Sequence, residues 1–149
     1  MSTALLSELN TQVSSWSVMY AKLHNYHWYV KGHQFFTLHA KFEELYNEAT
    51  QHMDEIAERI LTLGGNPVAT LKEHLEQSVV KEATGNEQAE EMVKVIANDY
   101  GEIMLSLKKG MTLAAEAGDD MTEDLLNATY QSIEKHQWML RAFLGGDNK

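Results

Sequence analysis

Thr37-Leu-His-Ala-Lys-Phe-Glu-Glu-Leu-Tyr-Asn-Glu-Ala-Thr-Gln-His-Met-Asp-Glu-Ile-Ala-Glu-Arg-Ile-Leu-Thr-Leu63 contains neither Gly nor Pro and decides the fold. Leu38, Phe42, Leu45, Ala49, Met53, Ile56, Ile60 and Leu63 recur every three or four residues, so the stretch reads as one long amphipathic helix with Thr37 as its N-cap. At ~100° per residue, His39, Glu43, Asp54 and Glu58 fall within an arc of roughly 100° on nearly the opposite side. One helix thus carries a core stripe and a second face of metal-ligand residue types.

Working outward, Leu9, Val13, Trp16, Tyr20 and Leu23 share one stripe of a helix from about Thr3 to Val30, and His27 falls next on it. Lys31-Gly32-His33 makes the turn, and Gly64-Gly65-Asn66-Pro67 stops the second helix. Thr70-Leu-Lys-Glu73 has the spacing of a capping box and opens a short helix to about Gln77. A third long helix is predicted from about Asn86 to Ala117, with Met92, Ile96, Ile103, Leu107 and Met111 on its stripe. A fourth should run from about Thr122 to Leu144. The fold class is therefore all-α: two hairpins joined by a long crossover that carries a short extra helix, one domain over residues 1–149.

Composition narrows the function. Of 149 residues, 44% are hydrophobic, enough for one core, and no apolar run approaches the ~20 residues a membrane span needs. No basic, apolar leader opens the chain, so a cytoplasmic protein is expected, without membrane association. The absence of Cys removes disulfides, thiolate metal ligands and Cys nucleophiles. A formal charge of −10 disfavours a general nucleic-acid surface and favours cations as clients.

The ligand types pose a problem of reach. His39 and Asp54 lie 15 positions apart on one helix, or about 22 Å, whereas an ion binds its ligands at ~2–2.5 Å. Alone, His27 reads as a hydrogen-bonded core histidine, His39 as a surface one, and Asp54 with Glu58 as a solvated helix face. Together they suggest a shared site, because His27 and His39 flank one short turn. If two copies of the second helix pack antiparallel about a two-fold axis near Asn47, the histidines of one chain meet the acids of the other, twice. Two imidazoles and two carboxylates suit Fe(II) and other borderline divalent ions. No Glu-x-x-His occurs in the chain, so a di-iron centre inside the bundle is not expected.

The pattern His27-Trp28, Gly32, Phe35-Phe36-Thr37-Leu38-His39, Met53-Asp54-Glu55, Glu58-Arg59 resembles the mini-ferritins, the DNA-binding proteins from starved cells (Dps), over essentially the whole chain. The resemblance implies a ferritin-like four-helix bundle assembled as a hollow homododecamer, with ferroxidase sites at its two-fold interfaces. His27 and His39 of one subunit would face Asp54 and Glu58 of the next, holding up to two iron ions per site. Fe(II) would be oxidised by hydrogen peroxide or O₂ and stored as ferric mineral, and Trp28 would absorb stray oxidising equivalents. Ligation needs neutral imidazole and ionised carboxylate, so activity should fall through the ordinary histidine range.

The same resemblance assigns Asp119, Asp120 and Asp124 to an acidic pore that admits iron, although Asp120 also suits a helix cap. Glu43, Glu44 and Glu48 are candidates for mineral nucleation, or simply a solvated face; Ala40 stands where similar proteins often carry another acid. His24 is a candidate neighbour of the site, while His33, His52, His74 and His136 read as structural or exposed. Relatives that coat DNA do so with basic tails. Here Met1-Ser-Thr-Ala-Leu enters a helix almost at once and Gly145-Gly-Asp-Asn-Lys149 offers one Lys, so DNA binding is not expected. A nucleoid protein with secondary ferroxidase activity, and a bundle without metal, are the alternatives.

Overall fold

The computed structural model describes residues 2–146, which form five helices: α1 (Thr3–Tyr29), α2 (Phe35–Thr62), α3 (Leu71–Gln77), α4 (Ala89–Glu116) and α5 (Asp120–Phe143). The terminal residues on which the tail reading drew, Met1 and 147–149, lie outside this range.

Side-chain hydrogen bonds fix how the helices run. Gln12 of α1 donates to Ser106 and to the Ile103 carbonyl of α4, while Tyr26, at the far end of α1, reaches Glu87 just before α4, so α1 and α4 are antiparallel. Arg59 of α2 meets Thr122 and Asp119 at the start of α5, and Ser132 of α5 meets Glu48, so α2 and α5 are antiparallel too. The crossover between α2 and α4 must then climb the full bundle, which is the ferritin-like arrangement.

The stripes bury as their spacing requires. Leu9, Trp16, Leu23, Phe42, Leu45, Ile56, Ile60, Ile96, Ile103, Leu107, Leu126 and Ile133 are all fully buried. Tyr20 departs from the stripe: it is 37% exposed and lies edge-on to Tyr46. α1 also buries a second, polar face. Ser15 accepts from the Val79 backbone and Ser14 meets His74, so the crossover is hydrogen-bonded along α1. Where α4 and α5 approach, a Cβ added at Gly110 would stand 2.9 Å from Leu126 Cδ1. Only glycine allows that approach without a shift.

Three expected helix starts move. The second helix begins at Phe35 after Gln34, not at Thr37, because the left-handed Gly32 (φ 107°) turns the chain at once and its carbonyl accepts from Phe35 N. The fourth starts at Ala89, with Gln88 and Glu91 forming a capping box, rather than at Asn86. The fifth starts at Asp120, two residues before Thr122, because the Asp119 carboxylate accepts from the Thr122 N–H and caps it. The short helix opens where expected, with Thr70 accepting from Glu73 N and its hydroxyl donating to the Glu73 carboxylate.

Candidate metal centre

The turn at Gly32 brings the end of α1 against the start of α2, and with them His27 and His39. His27 is buried, 7% exposed, and its Nδ1 lies 2.7 Å from the His39 carbonyl oxygen. His39 returns the contact, its Nδ1 standing 2.8 Å from the His27 carbonyl oxygen. A carbonyl can only accept, so each Nδ1 carries the proton and donates it. In the neutral ring each Nε2 is then the bare lone pair, the form a metal ion requires.

The two imidazoles stack, centroids 3.7 Å apart and planes 13° from parallel. Phe35 covers His39 at 4.8 Å, and Tyr46 stands edge-on to His27 at 5.3 Å. Tyr46 in turn stacks on His24, whose Nδ1 bonds the Tyr20 carbonyl and whose ring lies 5.1 Å from that of Trp28. Trp28 is 66% exposed in the single chain, which rules out a role in its core.

Asp54 and Glu58 lie on the exposed face of α2, one turn apart, and neither carboxylate has a hydrogen-bond or ion-pair partner among the described residues. They are not gathered with the histidines in one chain. The straight helix between them enforces that separation.

The other acids divide. Asp120 and Asp124 are exposed on the first turns of α5. Asp119 is not free for a pore: burial pushes its carboxyl up, but bonds from Thr122 and the Arg59 guanidinium at 3.1 Å outweigh that and hold it below its ordinary value. The cap in this stretch is therefore Asp119, and Asp120 is spared that role. Glu43 and Glu44 are exposed, Glu44 beside Lys41 at 3.4 Å. Glu48 turns away from them into the groove between α2 and α5, where it meets Ser132, His136 and His52. That cluster was not legible from sequence; its one local signal is the i, i+4 spacing of Glu48 and His52. His74 is buried against α1, and His33 is exposed.

Against known proteins, residues 6–149 match the ferritin-like domain family. General stress protein 20U of Bacillus subtilis is 59% identical, the match covering 97% of this chain and all of the relative. DNA protection during starvation protein 2 of Bacillus anthracis is 58% identical over 97% of this chain and 99% of its own. Among solved structures, Dps from Staphylococcus aureus superposes with a TM-score of 0.92 at 54% identity, covering 94% of both chains. The chain belongs to the ferritin-like proteins and, within them, to the Dps family. No helix among the described residues is long and apolar enough to cross a membrane.

Proposed function

We propose that this protein is a ferroxidase and iron store that protects a bacterial cytoplasm against peroxide. It would work as a homododecamer whose two-fold interfaces each assemble two sites. The observation that carries the reading is the reciprocal bonding of His27 and His39, which leaves two metal-ready nitrogens at the end of the α1–α2 hairpin, where no third ligand gathers with them among the described residues. Asp54 and Glu58 of a second copy, exposed and unpaired, supply the carboxylates.

The stack also argues for two ferrous ions per site. An imidazole lone pair lies in its ring plane, and two planes only 13° apart cannot both converge on one atom. Each histidine then serves its own ion. Asp54 and Glu58 would hold one ion with His27, and His39 would hold the second more weakly. Each ferrous ion gives up one electron, and the pair reduces one hydrogen peroxide, with two protons, to two waters. Because both electrons arrive together, no hydroxyl radical is released. Ferric product would pass to the interior, where Glu43 and Glu44 are free to seed mineral, and Asp120 with Asp124 would draw cations through the shell. Trp28 would take up stray oxidising equivalents at the rim.

The test adds Fe(II) and peroxide to the purified protein and follows ferric absorption in the near ultraviolet. His27→Ala and Asp54→Ala should each abolish the fast phase while leaving the assembly's size on gel filtration intact. Oxidation as fast in both variants as in the parent would refute the site.

A further inference from the structure

We propose that Glu48, His52 and His136 form a second divalent-cation site, inside the four-helix bundle and within a single chain. It lies apart from the inter-subunit ligands and does not depend on their assignment. His52 Nε2 is buried without a hydrogen-bond partner and stands 3.9 Å from the buried Glu48 Oε2. That is too long for a hydrogen bond. A buried imidazole nitrogen left unpaired beside a carboxylate is costly unless something lies between them. His136 Nε2 approaches the same carboxylate oxygen at 2.7 Å from the opposite helix. Two imidazoles, one from α2 and one from α5, therefore flank the Glu48 carboxylate, and Trp16 packs 4.8 Å from the His52 ring.

The donor set is one carboxylate and two imidazoles, the chemistry of Zn(II), Co(II) and Fe(II). Burial pushes the Glu48 carboxyl up, but the bonds from His136 and Ser132 outweigh it and hold the group at about 2, so the ligand is an anion. Ligands at ~2.1 Å around a tetrahedral ion stand about 3.4 Å from one another. The two separations from Glu48 Oε2, 2.7 and 3.9 Å, bracket that value. The trio is closed rather than open: among the described residues no three His, Asp or Glu side chains already enclose an ion's position. The His136–Glu48 contact occupies it, and Lys41 Nζ, 3.2 Å from His136 Nδ1, holds the ring in the tautomer that makes that contact. Admitting an ion means the His136 proton moving from Nε2 to Nδ1, the ring shifting outward, and Lys41, displaced from Nδ1, falling back on Glu44, already 3.4 Å away. Lys41 is thus the latch.

Co(II) is the probe, because its visible spectrum reports imidazole ligation and coordination number. The metal-free full chain carrying His27→Ala and Asp54→Ala, which removes one imidazole and one carboxylate from each inter-subunit site, should bind one cobalt per chain with a low-coordinate spectrum. Adding His52→Gln, or separately His136→Gln, should weaken that binding by at least about tenfold. Adding Lys41→Gln should tighten it. No saturable uptake by the double variant, or uptake unchanged by both glutamine substitutions, would overturn the site.

Discussion

His27 and His39 each hold the other's backbone: two ring nitrogens, 2.7 and 2.8 Å from the opposing carbonyl oxygens, join the end of α1 to the start of α2. The same pair of bonds that closes the hairpin sets which nitrogen is free for metal.

Replacing His39 by Phe separates those roles. The ring still stacks between Phe35 and His27, and the net cost is one hydrogen bond, about 1 kcal/mol. Thermal unfolding should move by only a few degrees, while equilibrium Fe(II) binding should drop from two ions to one per site and peroxide consumption should slow.

Sharing of sites between chains has a numerical signature. Assemblies mixed from equal amounts of a His27→Ala/His39→Ala chain and an Asp54→Ala/Glu58→Ala chain should regain about a quarter of the parent's fast oxidation, since one of the two sites in each mixed pair is intact. Either chain alone should stay inactive. A mixture no better than its components would place all four ligands elsewhere.

Glu87 ties the end of the crossover to α1 through the Tyr26 hydroxyl at 2.5 Å and through Thr84 and Gly85. Burial pushes its carboxyl up, but the bonds it accepts hold it at about 2, below the ordinary 4.5. A carboxyl lowered on folding stabilises fully above its unfolded value, and that contribution fades as pH falls toward the folded one. Hydrogen exchange at Thr84 and Gly85 should therefore accelerate, relative to the core, below about pH 4.5. In Glu87→Gln that acid-dependent component should be absent.

Gly110→Ala tests the packing of α4 on α5. Alanine improves helix propensity by about 1 kcal/mol, but its methyl meets fully buried Leu126, and overpacking costs about 1–3 kcal/mol. A net loss on the order of 1 kcal/mol is expected from the urea midpoint.

DNA should not be retained in a gel shift at ~150 mM salt, whatever the names of the relatives, because the chain carries a net charge of −10 and binding to phosphates runs on clustered cations.

Long apolar stripes made the helices legible: their period is a property of one segment, and burial follows from it. Helix starts were less so: Thr37 is a plausible cap that the turn at Gly32 overrides, and the starts expected near Asn86 and Thr122 moved to where Gln88 and the Asp119 carboxylate cap the chain. The separation of His39 from Asp54 could be computed from helix rise, and it pointed to a second chain. The partnership of Glu48 with His136 could not, since it joins residues of α2 and α5 far apart in the chain and depends on how those helices are rotated. The pairing of Asp119 was hidden for the same reason: its partner Arg59 belongs to another helix.

In the proposed shared site, the unbroken run of α2 from Phe35 to Thr62 would act on both halves as a fixed gauge. Inserting or deleting a single residue between His39 and Asp54 would swing the carboxylates by ~100° and slide them by about 1.5 Å relative to the imidazoles, in both sites at once. The tally of residues in that interval is therefore under tighter constraint than their identities. Sequence drift there should proceed by replacement and almost never by change of length.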